Sequence, residues 1–416
     1  MQSMIGSQDI QVRAVCNARM EVAVCVSPTA SDDIKEVAST LKSDLEFSEQ
    51  CTVKIIAVAD FEREDLMTAL CSKGYELAIC VREVSNKKEI EWFVCDTVSG
   101  VIAAREIYKK QGSIARGWGH AIADLVWPLI TGESGFFSSQ IAYCKEVRLA
   151  SGKIAQHVCI ADYDGSHEQV VVATPTVNVG PRFNRDTHHQ VLYYSQYTSK
   201  NIRLMSRSSD RKKKIISNFD GVNMLPSFSR DGSCVAYCAS KGLGTCDIYY
   251  VQKGGALEKI TSNGGNNFSP VLSDDGNRIF YCSDVKNGVQ QIYCYHKASH
   301  THTAVTALPG DAWSPTYCEQ RHKLAYCKKA KDTVQLFMHD EITKIDTQVT
   351  HTGGHKDMCV WSPCGNYLLY CKSEKGCTRL ACFNILTGTE RYITPDSIKC
   401  SFPAWSGVYD VYPAIA

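Results

Sequence analysis

An aromatic residue followed by cysteine returns along this chain at a fixed interval. It occurs as "AYC" ending at Cys144, Cys238 and Cys327, as "FYC" ending at Cys282 and as "LYC" ending at Cys371. Cys238, Cys282, Cys327 and Cys371 stand 44, 45 and 44 residues apart, and in "VLYYS" the tyrosine Tyr194 is followed by Ser195 at the matching place. With the copy at Cys144, six copies are present. The interval suits a four-stranded propeller blade and exceeds that of ankyrin or tetratricopeptide units, which repeat every ~33–34 residues.

Each copy carries four short β-branched or aromatic runs separated by turn residues, as in "LPSFS", "CVAYC", "DIYYV" and "EKIT" between Leu225 and Thr261. Turns such as Arg230-Asp231-Gly232, Asp274-Asp275-Gly276 and Pro363-Cys364-Gly365 supply the glycine that a tight hairpin needs at positive φ. A lone meander cannot bury both faces, so the copies must stack, and closing them into a ring leaves only short edges. Runs such as "VAYC" lack alternation because both faces of that strand meet neighbouring blades. The first copy, from about residue 138, lacks a Pro-aromatic strand before it, whereas "FPAWS" (Phe402–Ser406) has no meander after it. The sequence therefore predicts a mainly β fold. A six-bladed β-propeller of four-stranded antiparallel blades occupies residues 134–416, closed by strand 402–406, after a smaller α/β domain over residues 1–133 with an extended N-terminal segment. In the smaller domain "MEVAVCVSP" and "VKIIAVA" read as strands, Ser31 to Phe47 as a helix capped by Ser31, and Asp60 to Lys73 as a second helix. "YELAICVREV" and "EIEWFVCDTVSG" read as a hairpin, and Ile114 to Leu129 as a third helix.

Lys and Arg number 45 against 44 Asp and Glu, so no charge excess points to nucleic acid or to an anionic membrane. No apolar run approaches the ~18 residues of a membrane-spanning helix. The start "MQSMIGSQDIQVR" lacks the basic-then-apolar profile of a secretory signal, which fits either a cytoplasmic chain or a mature form whose leader has been removed. Although the chain has 21 cysteines, it contains no Cys-x-x-Cys pair, which removes the zinc-ribbon and thioredoxin-like readings. "HTGGH" (His351–His355) lacks a glutamate beside its first histidine and reads as a Gly-rich surface loop. The basic run "RKKKII" (Arg211–Ile216) and "HTHT" (His300–Thr303) fall in outer hairpins and read as solvated turns. With no nucleophile elbow, P-loop, His-Glu-x-x-His or dinucleotide fingerprint, the expectation is a non-enzymatic protein that holds no cofactor and no metal.

The connections between blades are the remaining candidates: Asn218 to Met224, Ser262 to Phe268, Ala307 to Trp313, His351 to Asp357 and Pro395 to Lys399. Each leads from an outermost strand to the next innermost one, so together they ring one mouth of the channel. Met224, Phe268, Trp313 and Met358 set large apolar groups at or beside this ring, as binding surfaces do. Packing across the channel entrance is the competing role for each of them.

"PSFSRDGSCVAYC", "IYYVQKGGALEKITSNGGNNFSPVLSDDG", the terminal "FPAWS" and the joint "IADLVWPLITGESGFFSSQIAYC" (Ile122–Cys144) resemble the TolB family of Tol-Pal system proteins. In that family Ser-Pro-x-Phe/Trp-Ser-x-Asp-Gly recurs from blade to blade, and the resemblance covers nearly the whole chain. It implies a periplasmic, monomeric adaptor of Gram-negative envelopes that supports outer-membrane integrity and invagination during cell division. Its implied partners are the lipoprotein Pal, bound at the interblade mouth, TolA, bound through the N-terminal segment, and colicins or other envelope proteins. Carried onto this chain, the Pal contact falls on the interblade loops, at Asn223, Met224, Leu225, Asn267, Phe268, Trp313, Asp357 and Met358. The TolA contact falls on Ile10, Gln11, Val12 and Arg13, the family's Val-Arg pair matching Val12-Arg13; an extended strand suits docking because an acceptor edge can complete its backbone groups. Two other classes stay open: a propeller lyase or hydrolase with acidic and histidine side chains in its channel, and a cytoplasmic WD-repeat-like scaffold, which would accommodate free thiols better.

Overall fold

The computed structural model of the chain describes residues 19–84, 88–110, 114–185, 190–241, 244–306 and 309–409. They form two compact units, one reaching to Ser138 and including Val408 and Tyr409, the other from Ser139 to Gly407. The first unit contains strand β1 (Met20–Val26), helix α1 (Asp32–Phe47), β2 (Cys51–Ala57), α2 (Leu66–Cys71), β3 (Leu77–Glu83), β4 (Glu89–Asp96), β5 (Ile102–Lys109) and α3 (Ala115–Thr131). Its sheet runs β2-β1-β3-β4-β5, with β1 parallel to both neighbours and the rest antiparallel. Ser31 caps α1 by accepting from the Ile34 N–H at 3.5 Å, and α1 buries Ile34, Val37, Ala38, Leu41 and Leu45. Helix α3 packs closely on α1 because Gly119 has no side chain: a Cβ there would stand 2.6 Å from Thr40 Cβ. His120 on α3 and Asp44 on α1, both fully buried, pair at 2.9 Å.

Two elements depart from expectation. The second helix, expected from Asp60 to Lys73, spans only Leu66–Cys71. Ahead of it Asp60 accepts from the Glu62 N–H at 2.9 Å and Arg63 pairs with Asp65, so the polar residues close turns instead of extending the helix. Strand β5 went unread because "IAAREIYK" has few strand formers and a largely exposed pattern. It is an edge strand, held where the Arg105 guanidinium lies 4.9 Å from the Phe93 ring and its Nε donates to Glu91 at 2.8 Å. Among the described residues no helix is long and apolar enough to cross a membrane.

Asp124 on α3 gives this unit a pH dependence. Its carboxylate accepts from the backbone N–H groups of Phe137 at 2.7 Å and Ser138 at 2.8 Å, and burial raises its pKa to about 6. A carboxyl group raised on folding adds stability that is complete below its unfolded value of ~4 and lost as pH climbs through the folded value. Relative to Asp124→Asn, the wild-type chain should therefore gain of the order of 2 kcal/mol as pH falls from 7 to 4. Urea unfolding across that range is the measurement, and a difference that is flat or reversed refutes the assignment.

The second unit consists of six four-stranded antiparallel sheets. Five are simple meanders, with innermost strands Asn178–Phe183, Asn223–Phe228, Asn267–Leu272, Ala312–Cys318 and His355–Trp361. The sixth takes its innermost strand, Cys400–Trp405, from the far end of the chain and pairs it antiparallel with Gln140–Arg148. Gln140 N–H donates to Ser406 Oγ at 2.8 Å, and the Trp405 indole donates to Ser139 Oγ at 2.9 Å.

Within a blade the repeated residues do repeated work. The tyrosine of the aromatic–cysteine pair reaches across the third strand to the fourth: Tyr326 to Asp346 at 2.9 Å, Tyr370 to Glu390 at 2.6 Å and Tyr281 to His302 at 2.8 Å. Where the fourth strand departs, Thr261, Thr306, Thr350 and Thr394 accept the N–H groups of Ile248, Ile292, Leu336 and Leu380. Each of these four backbone donors is thereby paired.

Candidate functional site

At or beside the start of several innermost strands stands a polar residue that ties down the connection before it. Asn223, fully buried, accepts from Ser217 Oγ at 2.6 Å and the Phe219 N–H at 3.1 Å while donating to the carbonyls of Ile202 and Phe219. Asn267 donates in the same way to Gly265 and Cys246. In the "HTGGH" connection the place belongs to Lys356, whose buried ammonium donates to the carbonyls of Thr352, Gly353 and Gly354. Burial pushes its pKa down to about 8. These groups are consumed internally. Asn223 and Asn267, expected as partner contacts in loops, stand as buried caps at the first position of a strand.

The next residue in each blade is Val179, Met224, Phe268, Trp313, Asp357 or Ser401, and all but Val179 retain some exposure. The Trp313 indole donates to Asp357 Oδ1 of the following blade at 2.8 Å, and the same oxygen accepts the Met358 N–H at 2.7 Å. An aromatic anchor is thereby held at the mouth by a carboxylate whose charge is already engaged. Pre-orienting such a side chain removes part of the ordering cost of binding.

The third residue has a left-handed backbone in every blade: Gly180, Leu225, Ser269, Ser314, Met358 and Phe402, with φ between 50° and 60°. A register shift accompanies each, as between Met224 and Ser227 or between Asp357 and Val360. Proline follows at all but Met358, which Cys359 follows, and a residue without an N–H suits a place where the ladder breaks. Leu225 and Met358 therefore lie on strand bulges, not in loops. Positive φ in a bulky residue is strained and persists only where the surroundings enforce it. The thiols of Cys144, Cys238 and Cys371 do so in part, each resting against the N–H of the left-handed residue in the next blade: Gly180, Ser269 and Phe402. Burial pushes the Cys144 and Cys371 thiols above their usual range, and a hydrogen bond with Cys246, followed by burial, does the same for Cys238. They act as packing groups, not reactive thiolates. Cys364, although in a turn, is buried as well.

Six of the eight residues proposed for the mouth thus form its wall: Met224, Leu225, Phe268, Trp313, Asp357 and Met358. Ile10, Gln11, Val12 and Arg13 lie outside the described residues. The sequence reading missed Arg182, in "GPRF" on an innermost strand, because nothing in its immediate neighbours separates it from an ordinary surface arginine.

Comparison with known proteins agrees with this geometry. The family model described as TolB beta propeller domain matches residues 127–409. The Tol-Pal system protein TolB of Gluconobacter oxydans is 27% identical over 255 residues, covering 60% of this chain and 55% of that protein. TolB of Rickettsia felis is 29% identical over 150 residues, 36% of this chain and 33% of that one. The chain thus spans about half or less of the length of these relatives. The crystal structure of TolB from Acinetobacter baumannii superposes with a TM-score of 0.79 over 94% of this chain and 97% of that one, at 19% identity, a likeness that shows the fold. With its propeller model matched over well more than half its length, the chain belongs to the TolB β-propeller family.

Proposed function

We propose that this chain is a non-enzymatic adaptor of the Tol-Pal system that works in the periplasm and binds the lipoprotein Pal at the interblade mouth. The observation that carries this reading is the mouth itself, where Met224, Phe268 and Trp313 present apolar surface and Trp313 is held in place by Asp357. Family membership supports it. TolA is the partner assigned to the segment containing Ile10 to Arg13, and colicins that exploit the system would compete at one of these two surfaces. Such a role serves outer-membrane integrity and invagination during division.

Purified chain titrated with the soluble part of its cognate Pal, followed by calorimetry, tests the reading. Saturable binding at micromolar concentration or tighter is expected, and Trp313→Ala combined with Phe268→Ala should weaken it at least tenfold, about 1.4 kcal/mol. No association with a folded propeller rejects the Pal assignment.

A further inference from the structure

One step past the bulge, the six blades place Arg182, Ser227, Val271, Thr316, Val360 and Ala404 at one level of the channel. The residue after each sits in a pair whose N–H points away from its own blade. Ser229, for example, gives its N–H to Cys234, so that of Phe228 faces the axis. Two of these inward donors are satisfied by the neighbouring blade: Ser227 Oγ accepts from Leu272 at 2.9 Å, and Thr316 Oγ1 accepts from Trp361 at 3.4 Å. Arg182 holds the corresponding place before Phe228. A guanidinium has no acceptor, so it cannot satisfy that N–H.

Instead, Arg182 Nη1 donates to its own Pro181 carbonyl at 2.8 Å and to the Pro403 carbonyl of the adjacent first blade at 3.3 Å. Its Nε and Nη2 have no hydrogen-bond partner among the described residues, and no carboxylate pairs with it. Asp357, at the mouth, is engaged by Trp313 and Met358, while Asp274, beyond the opposite end of the strands, pairs with Arg185. Burial pushes the Arg182 pKa down to about 10. Arg182 keeps partial exposure, so its free donors are within reach of solution, and an oxyanion presenting two oxygens can pair with them in charge-assisted hydrogen bonds.

We propose that the propeller channel is an oxyanion site, in which Arg182 binds one carboxylate or phosphate group through its free N–H donors and the Phe228 N–H adds a further donor. The site is separate from the mouth residues assigned to a protein partner. Acetate and inorganic phosphate are the two probes, each titrated into the whole ¹⁵N-labelled chain at fixed ionic strength and followed by backbone amide shifts around Phe228 and Pro403. At least one should give a saturable, single-site curve, and which of them binds more tightly identifies the oxyanion class. Arg182→Gln should abolish saturation, Arg182→Lys should raise the midpoint at least tenfold, and Arg185→Gln should leave it within twofold. Should Arg182→Gln fail to fold, the lysine variant carries the comparison. Saturation unchanged in the Arg182 variants, or absent from the wild type with both probes, overturns the proposal.

Discussion

A chain ended at Lys399 should not form the propeller. The cut removes Cys400–Trp405, the innermost strand of the first blade, and leaves Gln140–Arg148 with an unpaired edge. Buried Ala404 and Trp405 are lost with it, as are the Trp405–Ser139 and Ser406–Gln140 hydrogen bonds. Pro403 goes too, and with it the carbonyl that receives Arg182. Burying one large apolar side chain contributes roughly 1.5–3 kcal/mol, while a whole domain is stable by only about 5–15 kcal/mol. Losing a strand from a closed ring therefore removes most of the margin, because the blades on both sides of the gap also lose a neighbour. Calorimetry should show the propeller transition absent or lowered by well over 10 °C. A synthetic peptide of residues 398–409, added in excess, should restore part of it by mass action. An unchanged transition in the truncated chain would show that the ring does not depend on this strand. A milder version places one charge inside the same strand: Ala404→Glu puts a carboxylate where only 2% of the residue is exposed.

That closure was legible because a strand type used six times leaves a visible mismatch when one copy lacks it at the start and another supplies it at the end. The repeat was readable through position, not chemistry. Cysteine fills the site at Cys144, Cys238, Cys282, Cys327 and Cys371, but Ser195 fills it in the second blade, where its buried Oγ has no hydrogen-bond partner among the described residues. A small side chain is what the site requires, since it must rest against the neighbouring blade's bulge. The mouth was legible only to within a residue or two. A loop can be read from its turn residues, yet whether Asn223 or Met224 faces outward depends on a period of two that a bulge then resets. The left-handed residues gave no signal because five of the six are Leu, Met, Phe or Ser at positions where composition favours an extended backbone, and only the ring of neighbours enforces the turn. Arg182 was invisible for a similar reason. Its significance lies in the absence of an acid nearby in space, which no local stretch of sequence contains.

Arg278 should prove the most consequential single side chain on the seam between the fourth and fifth blades, counting the blade closed by the C-terminal strand as the first. Its Nη1 donates to both oxygens of Glu341 at 2.9 and 3.0 Å, and its Nη2 donates to Glu319 at 3.2 Å and to the Tyr317 hydroxyl at 2.8 Å. Tyr317 donates onward to Glu341 at 2.5 Å, and the guanidinium lies 4.9 Å from the Tyr317 ring centre. Removing this cation leaves two carboxylates facing each other with a hydroxyl that can satisfy only one. Breaking a fully buried pair costs about 3–5 kcal/mol. Because Arg278, Glu341 and Glu319 keep 25%, 17% and 33% of their side-chain exposure, solvent screening reduces the expected loss for Arg278→Met to about 3 kcal/mol. Lysine is not an adequate substitute, since its point charge cannot bridge both acids and the ring at once, and Arg278→Lys should recover less than half of that loss. The decisive comparison is a double-mutant cycle. If uncompensated charge is the cause, Glu341→Gln added to Arg278→Met should be less destabilised than the single variant, by 1 kcal/mol or so in urea unfolding. Strictly additive losses would place the effect of Arg278 in its stacking on Phe280 and Tyr317, with the carboxylates as bystanders.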